Sequence, residues 1–149
     1  MLLFFMLDYC TKYEITRLIP YESSESVVSG LFNLVNIHNS GIAFGMFAHL
    51  SQVYRIIFLC GISFVIFMVV VILIIKGKNR NAFFILGLSL LAGGALGNLA
   101  GRVAKGYVVD FLDFYFKDYH YPAFNLADSF ITIGIVILLL HSFFYKKSA

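Results

Sequence analysis

Two aspartates stand beside apolar runs near the end of this chain: Asp110 in Val108-Val109-Asp110-Phe111, and Asp128 in Phe124-Asn125-Leu126-Ala127-Asp128-Ser129. An ionisable side chain next to bilayer hydrocarbon is costly and marks function more often than packing. Two carboxylates flanking one connection can share a proton. One then draws a proton from water while the other protonates a carbonyl oxygen, which is how an intramembrane aspartic protease would hydrolyse a peptide bond. Asn125 and Asp128 are three apart just before an apolar run, the form of a helix N-cap with an acid at the third position. A helix N-terminus favours an anion. Asp128 is therefore read as the base and Asp110 as the holder of the shared proton. Asp113 and Asp118 are read as solvated loop charges, with Asp113 the reserve candidate for the pair.

Asn98 and Arg102 lie four apart inside an otherwise apolar stretch, so they share a helix face. Polar groups there should meet a partner or a cavity. Gly93, Gly97 and Gly101 recur every fourth residue and form a stripe that lets another helix approach closely. His38, His49, His120 and His141 show no metal-ligand spacing, no serine sits in a nucleophile elbow, and no glycine-rich loop follows a strand. Metal and serine chemistry are not indicated, and no cofactor is implied. Cys10 and Cys60 read as unpaired thiols rather than a disulfide framework.

The elements that must carry these residues are set by composition. The chain has 149 residues, 60% hydrophobic and 13% charged, where a soluble domain carries about a quarter charged residues. A net charge of +3, dispersed along the chain, does not argue for nucleic acid. One integral-membrane domain, residues 1–149, is expected. Ile56 to Ile75, Asn81 to Gly101 and Ser129 to Tyr145 are uncharged apolar stretches, and about 20 residues suffice to cross a bilayer. The basic segments Lys76-Gly77-Lys78-Asn79-Arg80 and Lys146-Lys147 then face the cytoplasm. Asp8 to Gln52 and Lys105 to Asp128 fall on the outer side. Met1 to Leu7 is too short to span and reads as the tail of a truncated first span; restoring it makes four crossings. Tyr13 to Leu50 lacks a helical period and reads as short strands and turns, a small sheet resting on the membrane, with a turn at Asn39-Ser40-Gly41. The aromatics crowding Tyr107 to Tyr121 read as an interfacial belt.

Five segments, in order, resemble the motifs of lipoprotein signal peptidase, the bacterial signal peptidase II. They are Asp8-Tyr9-Cys10-Thr11-Lys12, Asn39-Ser40-Gly41-Ile42-Ala43-Phe44, Gly94-Ala95-Leu96-Gly97-Asn98 with Arg102, Gly106-Tyr107-Val108-Val109-Asp110-Phe111, and Phe124-Asn125-Leu126-Ala127-Asp128. The resemblance implies a helical membrane protein of four transmembrane helices with a small extracytoplasmic β-sheet, in the bacterial cytoplasmic (inner) membrane. It implies Asp110 and Asp128 as the catalytic pair, and Asn39, Asn98, Arg102 and Asn125 as residues that line the site and hold substrate backbone. The implied substrates are prolipoproteins, cleaved just before their diacylglyceryl-cysteine, with membrane lipids around them and globomycin as an inhibitor. Three departures stand out. Gly101 replaces the family's Asp before the Arg, the first span is clipped, and Tyr9 replaces the usual Gln after the first Asp.

Two other functions fit intramembrane carboxylates. A transporter or proton-relay subunit would carry its acids at mid-span, whereas these two are expected at helix ends beside a loop. A catalytically impaired relative is the other, on account of Gly101.

Overall fold

The computed structural model describes residues 1–41, 51–76 and 81–145. The basic residues Lys78, Arg80, Lys146 and Lys147, the Ile42-Ala43-Phe44 part of the asparagine motif, and His49 lie outside the described residues. Among the described residues four helices and four strands follow one another as α1 (Leu2–Leu18), β1 (Ser24–Val28), β2 (Phe32–Asn39), α2 (Gln52–Lys76), α3 (Ala82–Lys105), β3 (Val108–Phe116), β4 (Tyr119–His120) and α4 (Leu126–Tyr145). Among the described residues, α2, α3 and α4 are long and apolar enough to cross a membrane. The long apolar stretches of the sequence thus fold as the expected helices, each extended by a few residues.

Helix α3 is the central element: it packs against α1, α2 and α4. Its own sequence allows this. A Cβ at Gly93 would crowd Phe4 and the Met1 carbonyl, one at Gly97 would overlap the Asp8 carboxylate, and one at Gly94 would overlap the Ala127 carbonyl. Bare backbone at these positions brings α1 and α4 onto α3 at the close approach typical of helices in lipid. The third glycine of the stripe does something else. Gly101 faces the start of β3, where a Cβ would lie 3.1 Å from the Tyr107 carbonyl oxygen. Asn81 opens α3, its side chain accepting from the Phe83 and Phe84 amides, and Gly106 closes it at φ 77°. The outer surfaces of α2 and α4 expose large apolar side chains throughout, such as Ile57, Val65, Leu139 and Phe143. In a bilayer those faces meet lipid.

The strands form one antiparallel array in the order β1-β2-β3-β4. Register pairs Ile37 with Asp110, His38 with Val109 and Asn39 with Val108, with an irregularity between Leu34 and Ile37. Ile15 and Ile19 of the first helix and its exit pack on Val109 and Phe111, so α1 seats the sheet against the bundle.

Two expectations need correction. Tyr13 to Leu18 is helical, the last part of α1, and not strand or turn. The helix stops at Ile19 because a residue before proline is driven out of the α region, and Ile19 is extended at φ −114°, ψ 120°. The segment after Gly106 is not a loop. Val108–Phe116 is a nine-residue strand, so Asp110 sits within a sheet and not at a helix end.

Candidate active site

Asp110 lies near the start of β3 and is 3% exposed. Its Oδ1 accepts from Asn125 Nδ2 at 2.5 Å and its Oδ2 from Asn39 Nδ2 at 2.8 Å. Asn39 is opposite Val108, two residues from Asp110 along β3, so the pleat puts both side chains on one face. Each asparagine is held from behind. Gly41 N–H donates to Asn39 Oδ1 at 2.7 Å, and Asp128 N–H donates to Asn125 Oδ1 at 3.0 Å. The carbonyl oxygens are thereby taken, and the amide N–H groups must point at Asp110. Burial is the main influence on this carboxyl and pushes its pKa up to about 6; the charge of Asp128 pushes the same way, and the two asparagine hydrogen bonds pull against it.

Asp128 stands in the first turn of α4. Asn125 N–H donates to Asp128 Oδ2 at 3.3 Å while Asp128 N–H donates back to the Asn125 side chain. This reciprocal pair is the capping arrangement the spacing predicts. Asp128 Oδ1 accepts from Asn98 Nδ2 of α3 at 2.7 Å. Asn125, wholly buried, therefore touches both aspartates: its side-chain amide donates to Asp110, and its backbone amide and side-chain carbonyl grip Asp128.

Of the six residues singled out from the sequence, five are joined in this network: Asp110, Asp128, Asn39, Asn98 and Asn125. Arg102 lies close enough to act electrostatically on both aspartates. Its Nε is buried with no hydrogen-bond partner among the described residues. Asp113 is not a solvated loop charge. It is 6% exposed, accepts from Asn33 at 3.0 Å and meets His120 Nδ1 at 2.9 Å. It is three residues from Asp110 on the same strand, so its side chain leaves by the opposite face. It ties the β3–β4 hairpin together and is no reserve for the pair.

Two participants carry no role in the sequence reading. Asp8 is fully buried and Lys12 is 9% exposed. They form an ion pair at 2.7 Å. Lys12 Nζ also donates to Asn98 Oδ1 at 3.1 Å, and Ala127 N–H donates to Asp8 Oδ1 at 2.9 Å. The available signal is an acid and a base one helical turn apart in an apolar segment. Among the described residues no group of His, Cys, Asp and Glu is arranged to hold a metal ion.

The chain resembles known proteins along nearly its whole length. A family model described as Signal peptidase (SPase) II matches residues 1–144. A lipoprotein signal peptidase of Francisella tularensis subsp. novicida is 39% identical over 142 residues, covering 95% of this chain and 88% of the relative. One from Desulforapulum autotrophicum is 41% identical over 140 residues, covering 94% and 86%. A solved structure described as a bacterial membrane enzyme, determined in meso at 1.9 Å, superposes with a TM-score of 0.81 at 34% identity, covering 93% of this chain and 86% of the other.

Proposed function

The chain belongs to the signal peptidase II family, and from that premise we propose that Asp110 and Asp128 are its catalytic pair. It is a multi-pass bacterial membrane protein and an aspartic endopeptidase that removes signal peptides from prolipoproteins. The proposal adds where and how. The observation that carries it is Asn125, one residue that hydrogen-bonds both carboxyl groups at once.

The two aspartates have unequal surroundings. Asp110 is buried, near neutral amides, and holds its proton up to about pH 6. Asp128 sits at a helix N-terminus, which favours an anion, within reach of Lys12 and Arg102. Environments that separate two acids assign their roles. Asp128 takes a proton from the attacking water, and Asp110 gives its proton to the scissile carbonyl oxygen. A tetrahedral intermediate forms. Its collapse breaks the C–N bond as a proton passes to the leaving amine. Water attacks directly, and neither metal nor organic cofactor takes part. Arg102 Nε, which has no partner among the described residues, and the amides of Asn39, Asn98 and Asn125 hold the substrate backbone around this point.

The finer setting follows. A fourth crossing runs through α1 (Leu2–Leu18), whose start packs beside Gly93, midway along α3. The sheet rests on the outer face of the inner membrane, and the 1–149 chain acts as one peptidase domain. The bond cleaved precedes the diacylglyceryl-modified cysteine, whose acyl chains stay in lipid as the substrate enters sideways; globomycin would compete at the same site. Among the described residues the hydrogen bonds that hold Asp110 and Asp128 form with glycine at position 101. A proton relay would carry its acids at mid-span, whereas one of these lies in a strand and the other in the first turn of a helix.

The test is complementation in bacteria depleted of their own signal peptidase II. The chain restores maturation of a lipoprotein precursor, and precursors that lack the diacylglyceryl group stay uncleaved. Maturation by the Asp110→Asn or Asp128→Asn variant would overturn the assignment of the pair.

A further inference from the structure

Asp8 and Lys12 take no part in the chemistry above, yet they are among the most deeply buried charges in the molecule. They connect to it through one residue. Lys12 Nζ donates to Asp8 Oδ2 at 2.7 Å and to Asn98 Oδ1 at 3.1 Å, and Asn98 Nδ2 donates to Asp128 Oδ1 at 2.7 Å. An ammonium has only donors and a carboxylate only acceptors. If the Asn98 amide turned over, its NH₂ would face the ammonium and its carbonyl oxygen would face the carboxylate, two repulsive contacts in place of two hydrogen bonds. The polarity of the chain of bonds is therefore fixed at the lysine end. The other end of Asp8 is anchored as well, since its Oδ1 accepts from Ala127 N–H, the residue before Asp128.

We propose that Lys12 is a positioning residue of the catalytic pair: clamped by Asp8, its ammonium aims the Asn98 amide N–H at Asp128 and holds that carboxylate in place. The proposal rests on the reading of Asp110 and Asp128 as the pair. The charges that face Asp128 are Asp8 and Lys12 from α1, Arg102 from α3 and Asp110 from β3, while α2 brings Cys60 near Arg102. Without Lys12, Asp8 would be a buried carboxylate with no counter-charge of its own. Asn98 would lose the bond that sets its orientation. Geometry that slips by about an ångström can cost about 100-fold in rate.

The structure also supplies a way to tell positioning from packing. A cavity of about 150 Å³ between α1 and α3 is lined by Asp8, Lys12, Gly97, Gly101 and Tyr107 among others. Truncating Lys12 enlarges it next to the Asp8 carboxylate, leaving room for a small alkylammonium ion. In detergent, with a diacylglyceryl-modified precursor peptide, Lys12→Ala is expected to lose about 100-fold in kcat with KM changed by less than about threefold. Ethylammonium should restore rate saturably, and ethanol of similar size should not. The isosteric neutral Lys12→Met should show the same kcat loss and a displaced acid limb in its pH–rate profile. Equal rescue by ethanol, or a wild-type rate and pH profile in either variant, overturns the proposal. Failure of both variants to fold assigns Lys12 to structure alone and overturns it too. Asp128→Asn, run beside them, separates the two readings. Activity in that variant defeats the pair itself, whereas an inactive Asp128→Asn beside a fully active Lys12→Ala defeats only the role of Lys12.

Discussion

Replacing Asp110 with asparagine should make the protein lose less stability as pH rises. In the folded protein Asp110 keeps its proton up to about pH 6, against 3.8 for the free group, chiefly because it is buried. Between those values the native state binds more protons than the unfolded chain, so wild-type stability falls as pH rises. The full loss is about 3 kcal/mol, at about 1.4 kcal/mol for each pH unit between the two values. Asparagine does not titrate and escapes that loss. It has a cost of its own. One of its NH₂ donors must face the NH₂ of Asn39 or Asn125, whose carbonyl oxygens are already bound by Gly41 N–H and Asp128 N–H. That costs about 1–3 kcal/mol, but equally at every pH, so it cancels when two pH values are compared. The assay is thermal unfolding in detergent of wild type and Asp110→Asn. At about 2–4 °C per kcal/mol, the variant's Tm minus that of the wild type should rise by about 5–10 °C from about pH 4 to about pH 7. Parallel pH dependence in the two proteins would refute the claim that burial holds a proton on Asp110.

Other predictions follow from the packing. Gly97→Ala places a methyl group over Asp8 Oδ2; it should destabilise the protein by about 1–3 kcal/mol in a melting experiment and lower cleavage as well, while unchanged melting and turnover would deny the close α1–α3 approach. Asn36→Leu removes the side-chain donor that satisfies the Ile19 carbonyl at 2.8 Å and should cost about 1–3 kcal/mol without altering kcat, as a thermal shift beside a turnover assay would show. Gly101→Asp restores the family carboxylate in a spot where a Cβ lies 3.1 Å from the Tyr107 carbonyl. Turnover should stay within about threefold of wild type, an effect under about 1 kcal/mol, and a large gain would mean that the glycine impairs the site.

How far the sequence carries depends on whether a signal is local. Asn125 and Asp128 are legible because a capping box is written in four consecutive residues. Asn98 and Arg102 are legible as polar groups one turn apart in a span. The strand character of Val108–Phe116 is hidden, because Val109 and Phe111 on one face and Val108 on the other are all buried, so the usual alternation of apolar and polar residues is missing. The same run of aromatics fits a belt as well as a strand. The extension of helix α1 past Lys12 is hidden because Glu14 and Arg17 lie on its exposed side with Tyr13 and Leu18, a mixture without a strong helical period. The part played by Lys12 depends on Asn98, 86 residues away. Nothing near Lys12 names that partner, and only the packing of α1 on the Gly93–Gly97 face of α3 brings the two together.

The most direct measurement is single-turnover cleavage of a diacylglyceryl-modified precursor peptide in H₂¹⁸O, by wild type, Asp110→Asn and Asp128→Asn, with the products weighed by mass spectrometry. Wild type should cut immediately before the lipid-modified cysteine and leave a single ¹⁸O in the new carboxyl end of the released signal peptide, and neither variant should give product. Product from either variant, or a wild-type product whose new carboxyl end carries no solvent oxygen, would contradict water attack directed by Asp110 and Asp128.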